Sequence, residues 1–107
     1  MKVMVVTFGF EGLSADEVAA VSEDLAPQFA EIPGCLEKTW LLDREAGRCG
    51  GVYKFADESS LRAYRNSELW AGVQANDVFN GFEVAEYDMI EAATAITGGV
   101  PSGALAG

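Results

Sequence analysis

The chain has 107 residues, half of them hydrophobic, with 17 acidic against 7 basic residues and a formal net charge of −10. This length and composition predict one domain with a modest core. The negative charge argues against binding nucleic acid or anionic membrane lipid, because both require clustered basic residues. The chain has no histidine, which removes Ser-His and Cys-His nucleophile pairs and the commonest ligands of zinc, non-haem iron and haem.

No apolar run approaches the ~20 residues that a membrane-spanning helix needs. The first predicted strand begins almost at Met1, which leaves no room for a signal peptide. We therefore expect a cytoplasmic protein.

The first third of the chain predicts a strand followed by a long helix. Residues 2–10 are β-branched and aromatic and are apolar on both faces, so the strand needs cover from two sides. Ser14 and Glu17 have the spacing of a capping box that opens a helix. Apolar residues then recur at steps of three and four, as one buried stripe requires: Val18, Val21, Leu25, Phe29 and Ile32. Pro27 interrupts this stripe and predicts a kink.

Residues 35–55 predict a β-hairpin. Pro33-Gly34 ends the preceding helix, because glycine accepts the positive φ that a reversal needs. If Asp43 lies opposite Arg48, a favourable charge pair and an indole over a strand glycine result from the same register. The predicted pairs are Leu36 with Phe55, Glu37 with Lys54, Lys38 with Tyr53, Thr39 with Val52 and Trp40 with Gly51.

The same register places Cys35 and Cys49 about seven residues apart along the strands, at roughly 3.3 Å per residue. That separation is far beyond the reach of a disulfide. Both cysteines are therefore predicted to be free thiols that pack as small apolar residues.

The second half predicts two short helices and a last strand. Asp57 or Ser59 caps the first helix and Ser67 caps the second. Residues 82–89 form the strand, and residues 90–97 fit either an extension of it or a helical turn. We expect a single domain over residues 1–97, followed by a small, glycine-rich and disordered tail over residues 98–107.

The predicted element order is β-α-β-β-α-β, which is the ferredoxin-like α+β arrangement with an antiparallel sheet. Two helices cover only one face of such a sheet, whereas the first strand is apolar on both. A second copy of the chain is the least costly cover for the other face. The pattern therefore predicts a homodimer with a dimeric α+β barrel.

One face of the hairpin carries the first group of candidate site residues: Lys38, Trp40, Tyr53 and Phe55. They could line a flat aromatic pocket with the lysine and the tyrosine hydroxyl as its polar groups. Alternatively, the aromatic residues belong to the core or to an interface, and Lys38 extends to solvent.

The second group follows the hairpin. Tyr64 is three positions after Leu61 and is predicted to be core, Asn66 is interpreted as a helix terminator, and Trp70 could form a pocket rim or lid. Arg62 and Arg65 are predicted to be solvated. The acidic residues of the last strand fit either a solvated face or an acid–base pair: Glu83, Glu86 and Asp88.

No phosphate-binding loop is predicted, because Gly50-Gly51 begins a strand rather than a helix. A flavin or nicotinamide site is therefore not expected.

Several short motifs resemble the YdhR-like monooxygenase family over roughly residues 1–96. They are Pro33-Gly34, Lys38-x-Trp40, Gly50-Gly51-x-Tyr53-x-Phe55 and Asp57-Glu58 with Tyr64. The resemblance implies a dimeric, ferredoxin-like α+β barrel. The family often has an aromatic residue where this chain has Glu37.

Through the kinship of that fold with quinone-forming oxygenases, the resemblance implies a monooxygenase that needs no metal or organic cofactor. Its substrate would be a small phenol-like or hydroquinone-like aromatic molecule. Lys38 and Tyr53 would be catalytic, the first stabilising an anion and the second relaying a proton. The implied substrate contacts are Trp40, Phe55, Tyr64, Asn66 and Trp70.

Two other classes stay open, because the same barrel serves several purposes. One is a pocket enzyme that is not an oxygenase, such as an isomerase, a cyclase or a dehydratase. The other is a non-catalytic dimer that binds a small ligand.

Overall fold

The computed structural model describes residues 1–101. Within this range four strands and four helices follow one another as β1 (Lys2–Phe10), α1 (Ala15–Ala30), β2 (Cys35–Asp43), β3 (Arg48–Phe55), α2 (Glu58–Arg65), α3 (Glu68–Ala75), β4 (Phe79–Asp88) and α4 (Glu91–Ile96). The strands form one antiparallel sheet in the order β2-β3-β1-β4. This confirms the predicted ferredoxin-like α+β fold.

The helix caps lie where short polar side chains predict them. The Ser14 hydroxyl accepts from the Glu17 amide at 3.1 Å, and the Glu17 carboxylate accepts from the Ser14 amide at 3.0 Å. Asp57 rather than Ser59 caps α2, and Ser67 caps α3. Helix α1 continues through Pro27. The proline is tolerated because it lies in the last turn, where few backbone hydrogen bonds remain to be lost.

The hairpin register is as predicted from Glu37 to Asp43, including Lys38 opposite Tyr53 and Trp40 opposite Gly51. A bulge at Leu36 corrects the end of the prediction, because Phe55 pairs with Cys35 instead of Leu36. The two cysteines are free thiols, as expected.

Strand β4 begins at Phe79, earlier than the predicted residue 82. The turn signal at Gly81 marks an irregularity inside the strand, since this residue has a φ of 62° and the pairing with β1 shifts nearby. Residues 90–97 take the helical alternative as α4. In the predicted tail, the Gly99 carbonyl accepts from the Lys54 ammonium at 2.7 Å, while residues 102–107 lie outside the described part.

One face of the sheet, the covered face, carries the core beneath α1, α2 and α3. Its buried residues are Met4, Val6, Phe8, Val18, Phe29, Ile32, Cys49, Tyr53, Phe55, Leu61, Tyr64 and Trp70. The opposite, open face carries partly exposed aliphatic side chains, including Val3, Val5 and Val52. Between residues 1 and 101, no helix combines the length and apolarity that a membrane crossing needs.

Candidate active site

Lys38 projects from β2 into a group of three aromatic rings. Its Nζ atom lies 3.6 Å from the ring centroid of Phe29, 3.4 Å from that of Trp40 and 4.5 Å from that of Tyr53. The rings come from α1, β2 and β3 respectively. We call this arrangement the lysine cage.

The sheet makes room for the lysine stem at a glycine. A Cβ atom at Gly51 would lie 2.7 Å from Cε of Lys38, which is closer than carbon atoms approach. The side chain that covers this glycine is therefore Lys38, and not Trp40 as the sequence predicted. Phe29 and Trp40 pack edge to face at 5.1 Å and fix the cage from the helix side.

The ammonium of Lys38 is held by rings rather than by a carboxylate. Every other lysine and arginine has an acidic partner within 4 Å, whereas Lys38 has none among residues 1–101. Burial lowers the pKa of Lys38 to about 7, since the charged form loses its hydration. The aromatic faces attract the ammonium and retain part of the protonated form. Both forms are therefore populated near neutral pH.

Tyr53 and Tyr64 form a hydroxyl pair beneath the cage. Their oxygen atoms are 3.1 Å apart and share a hydrogen bond, and their ring centroids are 5.1 Å apart. Burial, together with the neighbouring Tyr64, raises the pKa of Tyr53 far above its ordinary value, and burial raises that of Tyr64 to about 12. Both hydroxyls are protonated at neutral pH.

Two connected spaces lie between α1 and the sheet. The inner cavity has a volume of about 60 Å³ and is bordered by Lys38, Trp40 and Tyr53 together with apolar residues of α1, β1 and α3. The outer groove has about 300 Å³ and lies between α1 and β2. Both are bordered by Val18, Ser22, Trp40 and Leu41, so the Trp40 indole stands at the junction.

The other predicted site residues lie at increasing distance from the cavity. Phe55 is fully buried and stacks on Tyr53 at 6.0 Å. Trp70 is buried behind Tyr64, with ring centroids 5.8 Å apart, and Tyr64 is core, as predicted. Asn66 is exposed at the end of α2. Thus the cavity brings together Lys38, Trp40 and Tyr53, while these four do not border it.

Sequence reasoning missed the third ring of the cage. Phe29 was assigned only to the apolar stripe of α1, and nothing in the spacing shows which stripe residue meets Lys38. The signal that was available is a strand glycine, Gly51, diagonally across from a lysine on the covered face. Without a side chain at Gly51, the lysine stem can run across the sheet at that point.

The arginines of α2 lie partly as predicted. Arg62 is exposed and Arg65 is half-buried, and both bind the Glu86 carboxylate, Arg65 at 2.6 Å. The other two acidic residues of β4 are exposed and separate from it, Glu83 beside Arg48 and Asp88 beside Lys2. The three carboxylates therefore do not form an acid–base pair.

In residues 1–101, no three His, Cys, Asp or Glu side chains are grouped so that they could hold a metal ion. The lysine cage and the two connected spaces are the chemically distinctive part of this region.

Comparisons with solved structures identify the fold independently. A protein of unknown function from Nitrosomonas europaea matches with a TM-score of 0.71 and 16% identity, covering 83% of this chain and 88% of that one. SnoaB, a cofactor-independent oxygenase from Streptomyces nogalater, matches with a TM-score of 0.65 and 19% identity, covering 83% and 92%. MhuD, with two manganese protoporphyrin IX molecules per active site, matches with 0.65 and 19%, covering 84% and 95%.

At these identities the likeness shows the fold alone. No curated protein matches the chain. The family model "Putative mono-oxygenase ydhR" matches residues 3–100, which includes every element of the sheet and the whole lysine cage. The chain therefore belongs to the ydhR family.

Proposed function

We propose that the protein is a cofactor-independent monooxygenase that oxidises a small phenol-like or hydroquinone-like molecule between α1 and the sheet. The observation that carries this proposal is the lysine cage, which holds a partly neutral amine on the wall of the inner cavity, next to a ligand-sized groove that Trp40 also borders. Membership of the ydhR family and the fold shared with SnoaB support the same chemistry.

The aromatic ring of the substrate binds in the outer groove. Its volume of about 300 Å³ is at the lower end of the range for small-molecule sites. The inner cavity, at about 60 Å³, is smaller than the ~150 Å³ apolar cavity that admits benzene. The ring therefore stacks on Trp40 in the groove, and its hydroxyl reaches the cavity when the indole turns aside.

Lys38 acts as the general base. Its neutral form takes the phenolic proton, and the resulting ammonium stabilises the phenolate in a site with little water. A ring carbon of the phenolate then transfers electrons to dioxygen and bonds to it. Loss of water leaves a quinone, so phenol and dioxygen give quinone and water. One oxygen atom enters the ring and the other leaves as water, and no external reductant is needed.

Tyr53 serves as the proton donor to the departing oxygen. Its hydroxyl is protonated and is continuous with that of Tyr64, so a proton can be replaced from the second hydroxyl. Phe55 and Trp70 act through these tyrosines as positioning residues. In this proposal, Asn66 contacts only a substrate that extends beyond the groove.

We do not propose that this protein binds a porphyrin as MhuD does. The chain lacks histidine, which is the usual axial ligand of haem, and Lys38 occupies the inner end of the available space.

We also propose that a second copy of the chain covers the open face of the sheet. Partly exposed valines of β1 and β3 lie there, and packing two such faces buries apolar area without a change in fold. Sedimentation equilibrium at several concentrations tests this, with a homodimer as the expected species. A monomer at every concentration would contradict it.

Oxygen uptake with a panel of phenols and hydroquinones tests the catalytic proposal. Isotopically labelled dioxygen should place one label in the quinone and one in water. Lys38→Met should lower kcat/KM by about 10²–10⁴-fold, as loss of a general base does. Tyr53→Phe should lower it less, since water can supply a proton. Lys54→Met, on the open face, is the matched control and should leave the rate unchanged.

Absence of oxygen uptake with every compound would favour an alternative function that does not consume oxygen. The small volume of the inner cavity supports such a function, because only small or partly inserted molecules fit while the Trp40 indole stays in place. A pocket enzyme that is not an oxygenase, or a ligand-binding dimer, would then bind members of the panel in calorimetry without consuming oxygen.

A further inference from the structure

The four amines of the chain fall into two kinds. Lys2 pairs with Asp88 at 2.9 Å, Lys54 pairs with Glu37 at 3.1 Å, and the amino group of Met1 pairs with Glu91 at 3.0 Å. Lys38 instead faces three rings and has no acidic partner within residues 1–101. A carboxylate partner stabilises the charged form of an amine, whereas burial without such a partner favours the neutral, nucleophilic form.

The space beside Lys38 suits a small uncharged molecule. The volume of the inner cavity, about 60 Å³, is well below the ~150 Å³ of an apolar cavity that admits benzene, so only a small molecule fits. Its one hydroxyl-bearing aliphatic residue is Ser22, which already donates to the Val18 carbonyl at 2.8 Å. Besides Lys38 and Tyr53, the cavity therefore offers no further charged or hydroxyl partner to a ligand.

The titratable neighbours of the amine are uncharged as well. Cys35 on β2 and Cys49 on β3 act on Lys38 electrostatically, and burial raises the pKa of both thiols. The Tyr53 hydroxyl is protonated. α1 places Phe29 against the amine. The amine is thus the strongest nucleophile facing the cavity at neutral pH.

We propose that Lys38 is a covalent binding site for small uncharged aldehydes and ketones, which form an imine with its amine inside the lysine cage. This activity differs from the oxygenase reaction and requires no dioxygen. It does not rest on the function proposed above, although both use the same amine.

The chemistry is a condensation without oxidation or reduction. The nitrogen lone pair attacks the carbonyl carbon, the C–N bond forms as the C=O π bond breaks, and one N–H proton passes to the oxygen. The C–O bond then breaks, the oxygen leaves as water with a proton from the Tyr53–Tyr64 hydroxyl pair, and the second N–H proton returns to that pair. The product is a C=N bond to Nζ. When this imine is protonated, its cation lies against the same rings that hold the ammonium.

Reductive trapping tests the proposal. The full-length protein is incubated anaerobically with acetaldehyde and cyanoborohydride at pH 7, and the ethylated amines are located by peptide mass spectrometry. Lys2, Lys54 and the amino terminus serve as controls within the same molecule. We expect Lys38 to be ethylated at least about tenfold faster than the two paired lysines, because burial disfavours its charged form while the other two have carboxylate partners.

Two further measurements test the role of the cavity. Pivaldehyde, which is too bulky for the cavity, should label Lys38 no faster than Lys54. Gly51→Ala, which places a Cβ against the lysine stem, should slow acetaldehyde labelling of Lys38 with the fold verified by circular dichroism. Lys54→Arg is the matched control and should leave that labelling unchanged.

Equal ethylation of the three lysines would overturn the proposal. Rapid labelling by pivaldehyde would also overturn it, since the site would then be an exposed amine without a size limit. Because oxygen is excluded throughout, neither result depends on whether the protein is an oxygenase.

Discussion

Lys38 on the covered face of the sheet and Lys54 on the open face have their positive charges stabilised in opposite ways. Lys38 on β2 and Lys54 on β3 are close neighbours in one hairpin, yet they project to different sides. Lys54 on the open face binds the Glu37 carboxylate and the Gly99 carbonyl. Lys38 on the covered face binds only the faces of aromatic rings.

The difference shows that burial by itself does not decide the state of a charge on the covered face. Glu86 is also on that face, and its side chain is 19% exposed, but α2 supplies it with two arginines. Lys38 lies under α1, which supplies an aromatic ring and no acid. The helix that packs over Glu86 or Lys38 therefore determines the state of the charge. Under α2 the carboxylate is paired with arginines, whereas under α1 the amine is partly deprotonated.

The largest expected effect contrasts packing on the two faces. Phe55→Ala should lower the free energy of unfolding by about 3–5 kcal/mol, because a fully buried ring leaves a cavity. Val52→Ala, on the open face of the same strand, should cost about 1 kcal/mol or less, because a smaller side chain is truncated at a half-buried position. Urea unfolding measures both. Equal costs would contradict the distinction between the packed core of the covered face and the open face.

The next effect concerns the paired carboxylate of the covered face. Glu86→Gln keeps the shape but weakens the charge-assisted hydrogen bonds that Arg62 and Arg65 donate, and should cost about 1.5–2 kcal/mol. Glu83→Gln is the matched control on the open face, where the carboxylate is largely exposed and lies 3.5 Å from Arg48, and should cost less than about 0.5 kcal/mol. Equal losses in urea unfolding would contradict the distinction between the faces.

The third prediction concerns the pH dependence that Lys38 brings to folding. Its pKa is about 7 in the fold and about 10.4 in the unfolded chain, so the unfolded chain binds more protons between these values. Stability from this group therefore rises with pH across that window, and the cost of burial is greatest below pH 7.

Lys38→Met removes this dependence. From pH 7 to pH 8.5, the stability advantage of the variant over wild type should shrink by about 1–2 kcal/mol. Burial raises the pKa of Cys35 and Cys49 in the fold, so both thiols stay mostly protonated there across this window, and titration of the unfolded chain cancels in the difference. A constant difference across the window would mean that Lys38 keeps its ordinary pKa.

The smallest effect is expected at the paired lysine. Lys54→Met should change the free energy of unfolding by less than about 1 kcal/mol, since ion pairs near the surface contribute little. The change should diminish at high salt, because screening weakens the pair with Glu37. A loss as large as that of Glu86→Gln would contradict this expectation.

The sequence predicted most of the fold because its signals are local. Short polar caps at Ser14, Asp57 and Ser67 mark the helix starts, and the charge pair of Glu37 with Lys54 sets the hairpin register. The bulge at Leu36 and the early start of β4 were missed, because both are adjustments to a neighbouring strand. Neither depends on the residue types at those positions alone.

The candidate site was predicted less completely. The register already placed Lys38, Trp40 and Tyr53 on one face, which is the part of the cage that a hairpin determines. The contribution of Phe29 and the binding of Arg62 and Arg65 to Glu86 depend on how the helices pack on the sheet. The small volume of the inner cavity depends on the rotamers of all the side chains around it, and sequence spacing does not determine these rotamers.

The bulge at Leu36 has a consequence for how members of the family should be aligned. Within β2 it is the unpaired position, so the strand can gain or lose one residue there while positions 37 to 43 keep their partners on β3. A gap inside the paired positions 38–43 or 48–52 would exchange the faces of the residues beyond it and separate the lysine from its cage partners. Insertions and deletions of one residue in relatives that retain this lysine should therefore fall at position 36 or in the turn at positions 44–47.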